Sequence, residues 1–222
     1  LRGGDALPGV APGLPVHVAE EPDQPQATEK FCGLAFAKAN DLEEAEKLLD
    51  ELIKLSPNTS YVLNNYALLL RDWCEKTGKH QDDSPPADVK RRVRRSAEVY
   101  EMAAKSAPDD PQIQSDTGLL FWYYPCTFDG DKAKGYLKRS LDLSDYSYLD
   151  AWNGLDKLCP KISDWETLAD YAVRVEAAME RGVVPTSPGG SGARGPRPNE
   201  KAGMQARAEA ALKLAQEKLK KS

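Results

Sequence analysis

Residues 26–57 read QATEKFCGLAFAKANDLEEAEKLLDELIKLSP, and their periodicity decides the fold class. Leu42, Ala45, Leu48, Leu49, Leu52, Ile53 and Leu55 recur mostly at steps of three and four, one wide apolar stripe along a helix. Asp41 precedes the stripe and Glu44 follows it by three residues, the arrangement of a capping box. Asn40 suits the left-handed turn that ends a preceding helix. The pattern therefore predicts two helices, over 27–39 and 42–55, joined by a very short connection, and Pro57 stops the second.

The same pattern recurs downstream. In this first hairpin Gly33 is followed at three residues by Phe36, Ala45 is followed at four by Leu49, and Pro57 closes the unit. At these residues the chain resembles the tetratricopeptide repeat family, whose unit of roughly 34 residues follows a pattern of this kind. The small residues sit where two helices cross closely, and the aromatic fills the neighbouring gap. A second unit opens near Ser60 with Leu63, Tyr66, Ala67 and Leu70. It continues after an insertion with Ser96, Tyr100, Ala103 and Pro108. A third, from about 111, has Gly118, Phe121, Ala133 and Leu137, with Asp145 where a proline is expected. A fourth, from about 148, has Ala151, Leu155, Leu158, Leu168, Tyr171 and Val175. Ser147 with Asp150, and Ser163 with Glu166, read as capping boxes for its helices. The resemblance covers about 155 of the 222 residues and implies an all-α architecture, an α-solenoid of about four antiparallel helix pairs.

On either side of this body, 26–180, the composition changes. Residues 1–25 are rich in Pro and Gly without helical or strand period, and read as a disordered tail. Residues 181–198 read as a flexible linker of the same kind. Beyond it, 199–222 is rich in helix formers, with Met204, Ala208, Ala211, Ala215 and Leu219 on a narrow stripe. That stripe is mostly alanine and buries little area, which favours a loose tail helix over one docked as a terminal cap.

Charge and cysteine usage exclude several functions. A net charge of -5 argues against dedicated nucleic-acid binding, which shows a basic excess. Cys32, Cys74, Cys126 and Cys159 have no zinc-knuckle or redox spacing and read as small core residues. The two histidines, His17 and His80, lie in polar or Pro-rich stretches, and no metal or other cofactor is expected. No phosphate-binding Gly-rich motif or paired acid and base is present, and Asp129-Gly130-Asp131 is too short for a calcium loop. The chain is not expected to be an enzyme. No stretch is long and apolar enough for a membrane span. It begins with Leu rather than Met, which reads as loss of the true start; localisation is left open, with a soluble, cytoplasmic chain favoured.

The family resemblance implies a concave groove, lined by the first helix of each unit, that binds an extended peptide or a partner helix. The matching positions are Lys30, Leu34 and Lys38, then Tyr61, Asn64, Leu68 and Arg71. The third unit adds Gln112, Ser115, Leu119, Trp122 and Tyr123, and the fourth Trp152 and Asp156. Of these, Lys30, Tyr61, Asn64, Arg71, Trp122, Tyr123 and Trp152 are the candidate partner-binding residues, and the aromatics offer stiff contact area. Helical spacing alone leaves open whether Trp122 and Trp152 face the groove or pack between repeats. A carboxylate clamp, one ligand class of the family, is rejected. Lys30 and Asn65 match it, but Leu34, Gln112 and Asp116 do not, and an aspartate there repels a carboxylate.

The insertion, within EKTGKHQDDSPPADVKRRVRR at 75–95, predicts a long second helix over 85–106 with Ser84 at its start. Lys90, Arg91, Arg92, Arg94 and Arg95 on it suggest an RNA- or polyanion-binding alternative. The plainer reading is a solvated face pairing with Glu98, Glu101 and nearby aspartates. The leading expectation is an adaptor or assembly scaffold for a protein partner whose identity the sequence does not give. A structural link between domains of a longer chain is a third reading.

Overall fold

The computed structural model describes residues 42–55, 57–79, 82, 84–186 and 198–221. Among them are eight α-helices: α1 (Leu42–Leu55), α2 (Ser60–Lys76), α3 (Ala87–Ser106), α4 (Pro111–Tyr123), α5 (Gly130–Leu143), α6 (Leu149–Lys161), α7 (Trp165–Glu180) and α8 (Pro198–Leu219). One turn of 3-10 helix covers Pro125–Thr127. The described residues form no strand, and Tyr148 and Thr186 make an isolated bridge. The fold is all-α. The expected helix at 27–39, the tail at 1–25 and most of the linker lie outside the described residues.

Local chemistry explains the helix ends. Asp110 caps α4, its side chain accepting from Gln112 N and Ile113 N, with Pro111 in the first turn. Asp129 caps α5 by accepting from Lys132 N. The α7 cap is Asp164, which accepts from Thr167 N, rather than the expected Ser163. Ser163 instead adopts φ +59° in the turn between α6 and α7. Nor does Ser147 cap α6: that helix follows Tyr148 without a side-chain cap, and its start is tied by Leu149 N donating to Thr186 O. The expected linker is thus pinned over its first residues. Where proline was expected after α5, Asp145 and Tyr146 take φ values of +48° and +63°. Two left-handed residues break a helix as proline does. Tyr146 N reaches back to Leu141 O at 2.8 Å, and its hydroxyl donates to Asp142, which holds the strained turn.

Consecutive helices pack on one another, most closely α2 on α3, α4 on α5 and α7 on α8, while α4 also touches α6 directly. Gly118 is small for a reason. A Cβ there would lie 2.8 Å from Leu137 Cγ and 3.1 Å from the Ala133 carbonyl oxygen, so the close α4–α5 crossing requires glycine. Buried polar residues stitch neighbours together through carbonyls. Ser96 Oγ donates to Ala67 O at 2.8 Å, Thr117 Oγ1 to Tyr100 O at 3.3 Å and Ser140 Oγ to Pro111 O at 2.7 Å. Cys74 and Cys159 are buried, and burial pushes each thiol up to about 12, so both are protonated at neutral pH.

The C-terminal helix corrects the expectation of a loose tail. Met204, Ala208, Ala211 and Ala215 are buried as α8 packs along α7. Arg207 donates to Asn153 of α6, and Lys218 Nζ sits 5.6 Å above the Trp165 ring. Alanines contribute little area each, but they let two backbones approach closely enough to gain dispersion contacts along the whole length.

Of the basic residues in the insertion, Arg92 is buried and Arg95 half-buried, while Lys90, Arg91 and Arg94 are exposed. α3 begins at Ala87, with Pro85 and Pro86 ahead of it. Arg92 Nε donates to Glu46 at 2.7 Å, and its guanidinium stacks 4.2 Å above Trp73. Arg91 also reaches Glu46, and Arg95 pairs with Asp50 at 2.9 Å and Glu98 at 3.1 Å. The expected Glu98 pairing is therefore present, whereas Glu101 takes Lys132 instead, at 2.8 Å. Because Arg92 is 7% exposed at its side chain, removing the Glu46 charge leaves a buried cation with only Asp88 at 3.7 Å. Glu46→Gln keeps a hydrogen-bond acceptor but not the charge, so a loss of about 1–2 kcal/mol in unfolding free energy is expected. Urea titration of the variant measures it, and an unchanged midpoint contradicts the pairing.

Candidate functional site

The expected groove residues that are described lie on α2, α4 and α6, and the structure sorts them by depth. Tyr61 and Tyr123 are 52% and 46% exposed. Gln112 is exposed, while Leu68, Arg71, Leu119, Trp122 and Asp156 are half-buried. Asn64 and Ser115 are buried. Trp152 is 0% exposed, which corrects its assignment as a partner contact: α6 packs against α4, α5 and α7, and this side chain is part of the core they share. Lys30, Leu34 and Lys38 lie outside the described residues.

Arg71 is held in place. Its Nε and Nη2 donate to Asp72 Oδ1 at 3.2 and 3.0 Å, Nη1 donates to the Tyr100 hydroxyl at 3.4 Å, and Glu75 lies 3.8 Å away. Glu75 in turn accepts from the Tyr124 hydroxyl at 2.5 Å. At the C-terminal end of α4, Trp122 and Tyr123 meet edge to face at 6.4 Å. Lys161 Nζ bridges Trp122 and Phe128, 5.3 and 4.3 Å from their ring centres.

The unusual feature is beneath this surface. Among the described residues, the buried side-chain atoms without a hydrogen-bond partner are Asn64 Oδ1, Ser115 Oγ, Tyr148 OH and Trp152 Nε1. All belong to α2, α4, α6 or the residue that opens α6. Each such atom costs on the order of 1–3 kcal/mol relative to a satisfied one, and native chains hold few of them. Other buried polar side chains are satisfied: Ser96, Gln114, Thr117 and Ser140 by carbonyls and Arg92 by Glu46.

Three carboxylates act electrostatically on the Tyr148 hydroxyl. Burial pushes the Tyr148 phenol well above its usual range, and Asp116, Asp150 and Asp110 push it further. Asp116 is itself buried, 6% exposed. Burial raises its carboxyl to about 6, with Asp150 and Asp110 adding to the rise and Arg71 and a hydrogen bond from Gln112 opposing it. Asp150 is also pushed up by burial. Arg71 makes its ion pairs with Asp72 and Glu75 and none within 4.0 Å of Asp116 or Asp150. The sequence pointed to Asp116 only as a residue that repels an anion, and to Asp150 only as a cap. Tyr148 gave no signal at all, because helical spacing does not show which side chains from different helices converge.

Concave regions among the described residues include two away from these helices' candidate positions. A cleft of about 540 Å³ is lined by Lys90, Arg91, Arg94 and Arg95 together with Glu46, Asp50 and Glu98, so the basic helix faces its own counterions. Another, of about 660 Å³, lies between Phe128, Ile162 and Trp165, with Asp131, Lys134 and Glu166 at its rim. No helix among the described residues is long and apolar enough to cross a membrane. No protein-family model matches this chain, and no curated protein matches it.

Proposed function

We propose that this chain is a protein-interaction adaptor, a tetratricopeptide-like α-solenoid of antiparallel helix pairs that binds a peptide or helix of a partner on the face made by α2, α4 and α6. The observation that carries the reading is that, among the described residues, the unpartnered buried polar side-chain atoms lie on these three helices or on the residue that precedes α6. A chain that leaves Asn64 Oδ1, Ser115 Oγ and Tyr148 OH unpartnered on or beside these helices, apart from the core Trp152, retains a local cost that folding does not need. An extended peptide brings both donors and acceptors in its main chain and side chains. The direct contact between α4 and α6 supports the solenoid, because first helices of successive units lie side by side in such an array. Tyr61 and Tyr123, large and exposed, supply the area that anchors a ligand on a pre-formed surface.

Selection from a random peptide library on the full-length chain, followed by fluorescence anisotropy of the enriched peptides, tests this. The combined Tyr61→Ala and Tyr123→Ala variant is expected to bind about tenfold or more weakly. Lys90→Glu with Arg94→Glu, two exposed positions on the basic helix, is expected to change affinity less than about twofold at physiological salt. No enriched peptide, or binding abolished by the α3 charge reversals and unaffected by the tyrosine changes, overturns the reading. The latter result, with a steep salt dependence, is the signature of the polyanion alternative.

A further inference from the structure

We propose that the cleft between the start of α5, the start of α7 and the end of α8 is a second docking surface, one that takes a basic amphipathic helix of a partner protein. It is separate from the face made by α2, α4 and α6 and does not depend on it. The cleft, of about 660 Å³, is walled by Phe128, Ile162, Trp165 and Leu219, with Asp131 and Glu166 at its rim.

Its floor is built by Asp129-Gly130-Asp131, the sequence too short to hold calcium. Asp129 turns back to cap α5. A Cβ at Gly130 would lie 2.9 Å from Ile162 Cγ2 and 3.8 Å from Phe128 Cζ. Glycine therefore lets the turn after α6 close onto the start of α5. That approach gathers Phe128 and Leu219, each 38% exposed, with the half-buried Ile162 and Trp165 in one concavity. Apolar side chains collected in a cleft and rimmed by polar ones mark a contact surface, whereas scattered ones do not.

The charges at the rim select the partner. α5 and α7 both begin here, but each already has its own carboxylate, Asp129 or Asp164, on a first-turn amide. An anionic ligand would also meet four lining carboxylates against Lys134. Lys134 is engaged by Asp164 at 2.7 Å and stands 3.5 Å from Asp131, whose side chain is 94% exposed. Glu166 is exposed, and among the described residues no ion pair reaches it. Two further lysines are close, yet both lie over rings. Lys161 Nζ is 4.3 Å from the Phe128 centre and Lys218 Nζ 5.6 Å from that of Trp165. The chain's own cations thus occupy aromatic faces and leave the rim carboxylates to solvent. A neutral apolar helix fills the floor but desolvates those carboxylates without compensation, and an acidic one is repelled. A helix with leucine-like residues on one face, flanked by lysine or arginine, satisfies both floor and rim.

Titration of the full chain with a fluorescein-labelled amphipathic peptide of leucine and lysine tests this, read by anisotropy and by amide chemical shifts. The leucine–glutamate counterpart is the comparison. Saturable binding of the lysine peptide is expected, with shifts at 128–134 and 162–166, and the glutamate peptide at least about tenfold weaker. Asp131→Lys with Glu166→Lys is expected to weaken the lysine peptide about tenfold or more and to strengthen the glutamate one. Should those reversals disturb the helix starts, Asp131→Asn with Glu166→Gln keeps side-chain size and is expected to weaken the lysine peptide about threefold or more. Glu43→Lys with Glu51→Lys, at exposed positions of α1, makes the same change of charge elsewhere and is expected to alter affinity less than about twofold. No saturable binding, shifts confined to α2, α4 and α6, or equal weakening by the α1 and rim reversals overturns the proposal. The adaptor reading is untouched by these outcomes, because its own test rests on Tyr61 and Tyr123.

Discussion

Replacing Trp152 with alanine is expected to lower the unfolding free energy by about 3–5 kcal/mol. The side chain is 0% exposed and belongs to the hydrophobic core, on a helix that packs against α4, α5 and α7. Truncation removes the largest fully buried side chain of the protein's described core and leaves a cavity that the three neighbouring helices cannot close without moving. No hydrogen bond is lost, because Nε1 has no partner. The loss is therefore apolar contact and void. Trp152→Phe is the informative control: it keeps most of the ring volume and removes the unpartnered N–H, and is expected to cost less than about 1.5 kcal/mol. Guanidinium unfolding of both variants measures the difference. Equal, small losses in both show that the site is not a packed core position.

Asp116→Asn is expected to act in the opposite direction, and only at neutral and alkaline pH. Burial raises the Asp116 carboxyl to about 6 in the folded chain, above an unfolded value of about 4. The folded state thus holds the proton more tightly, and stability falls as pH rises from about 4 to about 6. Above that window the ionised carboxylate is a fixed burden of about 2–3 kcal/mol, which the amide removes. Arg71, Asp110 and Asp150 face the group from α2, the α4 cap and α6, and all are unchanged in the variant. The expected outcome is a melting temperature several degrees higher at about pH 7.5, converging with the parent near about pH 3.5. A destabilised variant at neutral pH shows instead that the charge is already compensated in the free protein.

The helices were legible in the sequence because periodicity and stop signals act locally. Residues 42–55 were expected as a helix and α1 has those bounds; 85–106 was expected and α3 spans Ala87–Ser106. The close approach at Gly118, Ala133 and Leu137 also follows from residue size and is present. What could not be read depends on neighbours. Spacing fixes the angle at which Trp152 leaves its helix but not which helix covers it. The alanine stripe of α8 looks too poor in area to dock until α7 lies along it. Capping boxes at 147 and 163 match a pattern, yet the chain uses Asp164 and the bridge to Thr186 instead. The burial of Asp116 and of the unpartnered Tyr148 hydroxyl depends on how α4 and α6 pack and has no sequence period at all.

Amide hydrogen exchange of the full-length chain, with and without an enriched peptide, tests the central claim most directly. Protection is expected within α2, α4 and α6, strongest around 61–71, 112–123 and 149–156, with α3 and α8 unchanged. Protection confined to residues 90–95 of α3, or to α8, contradicts it.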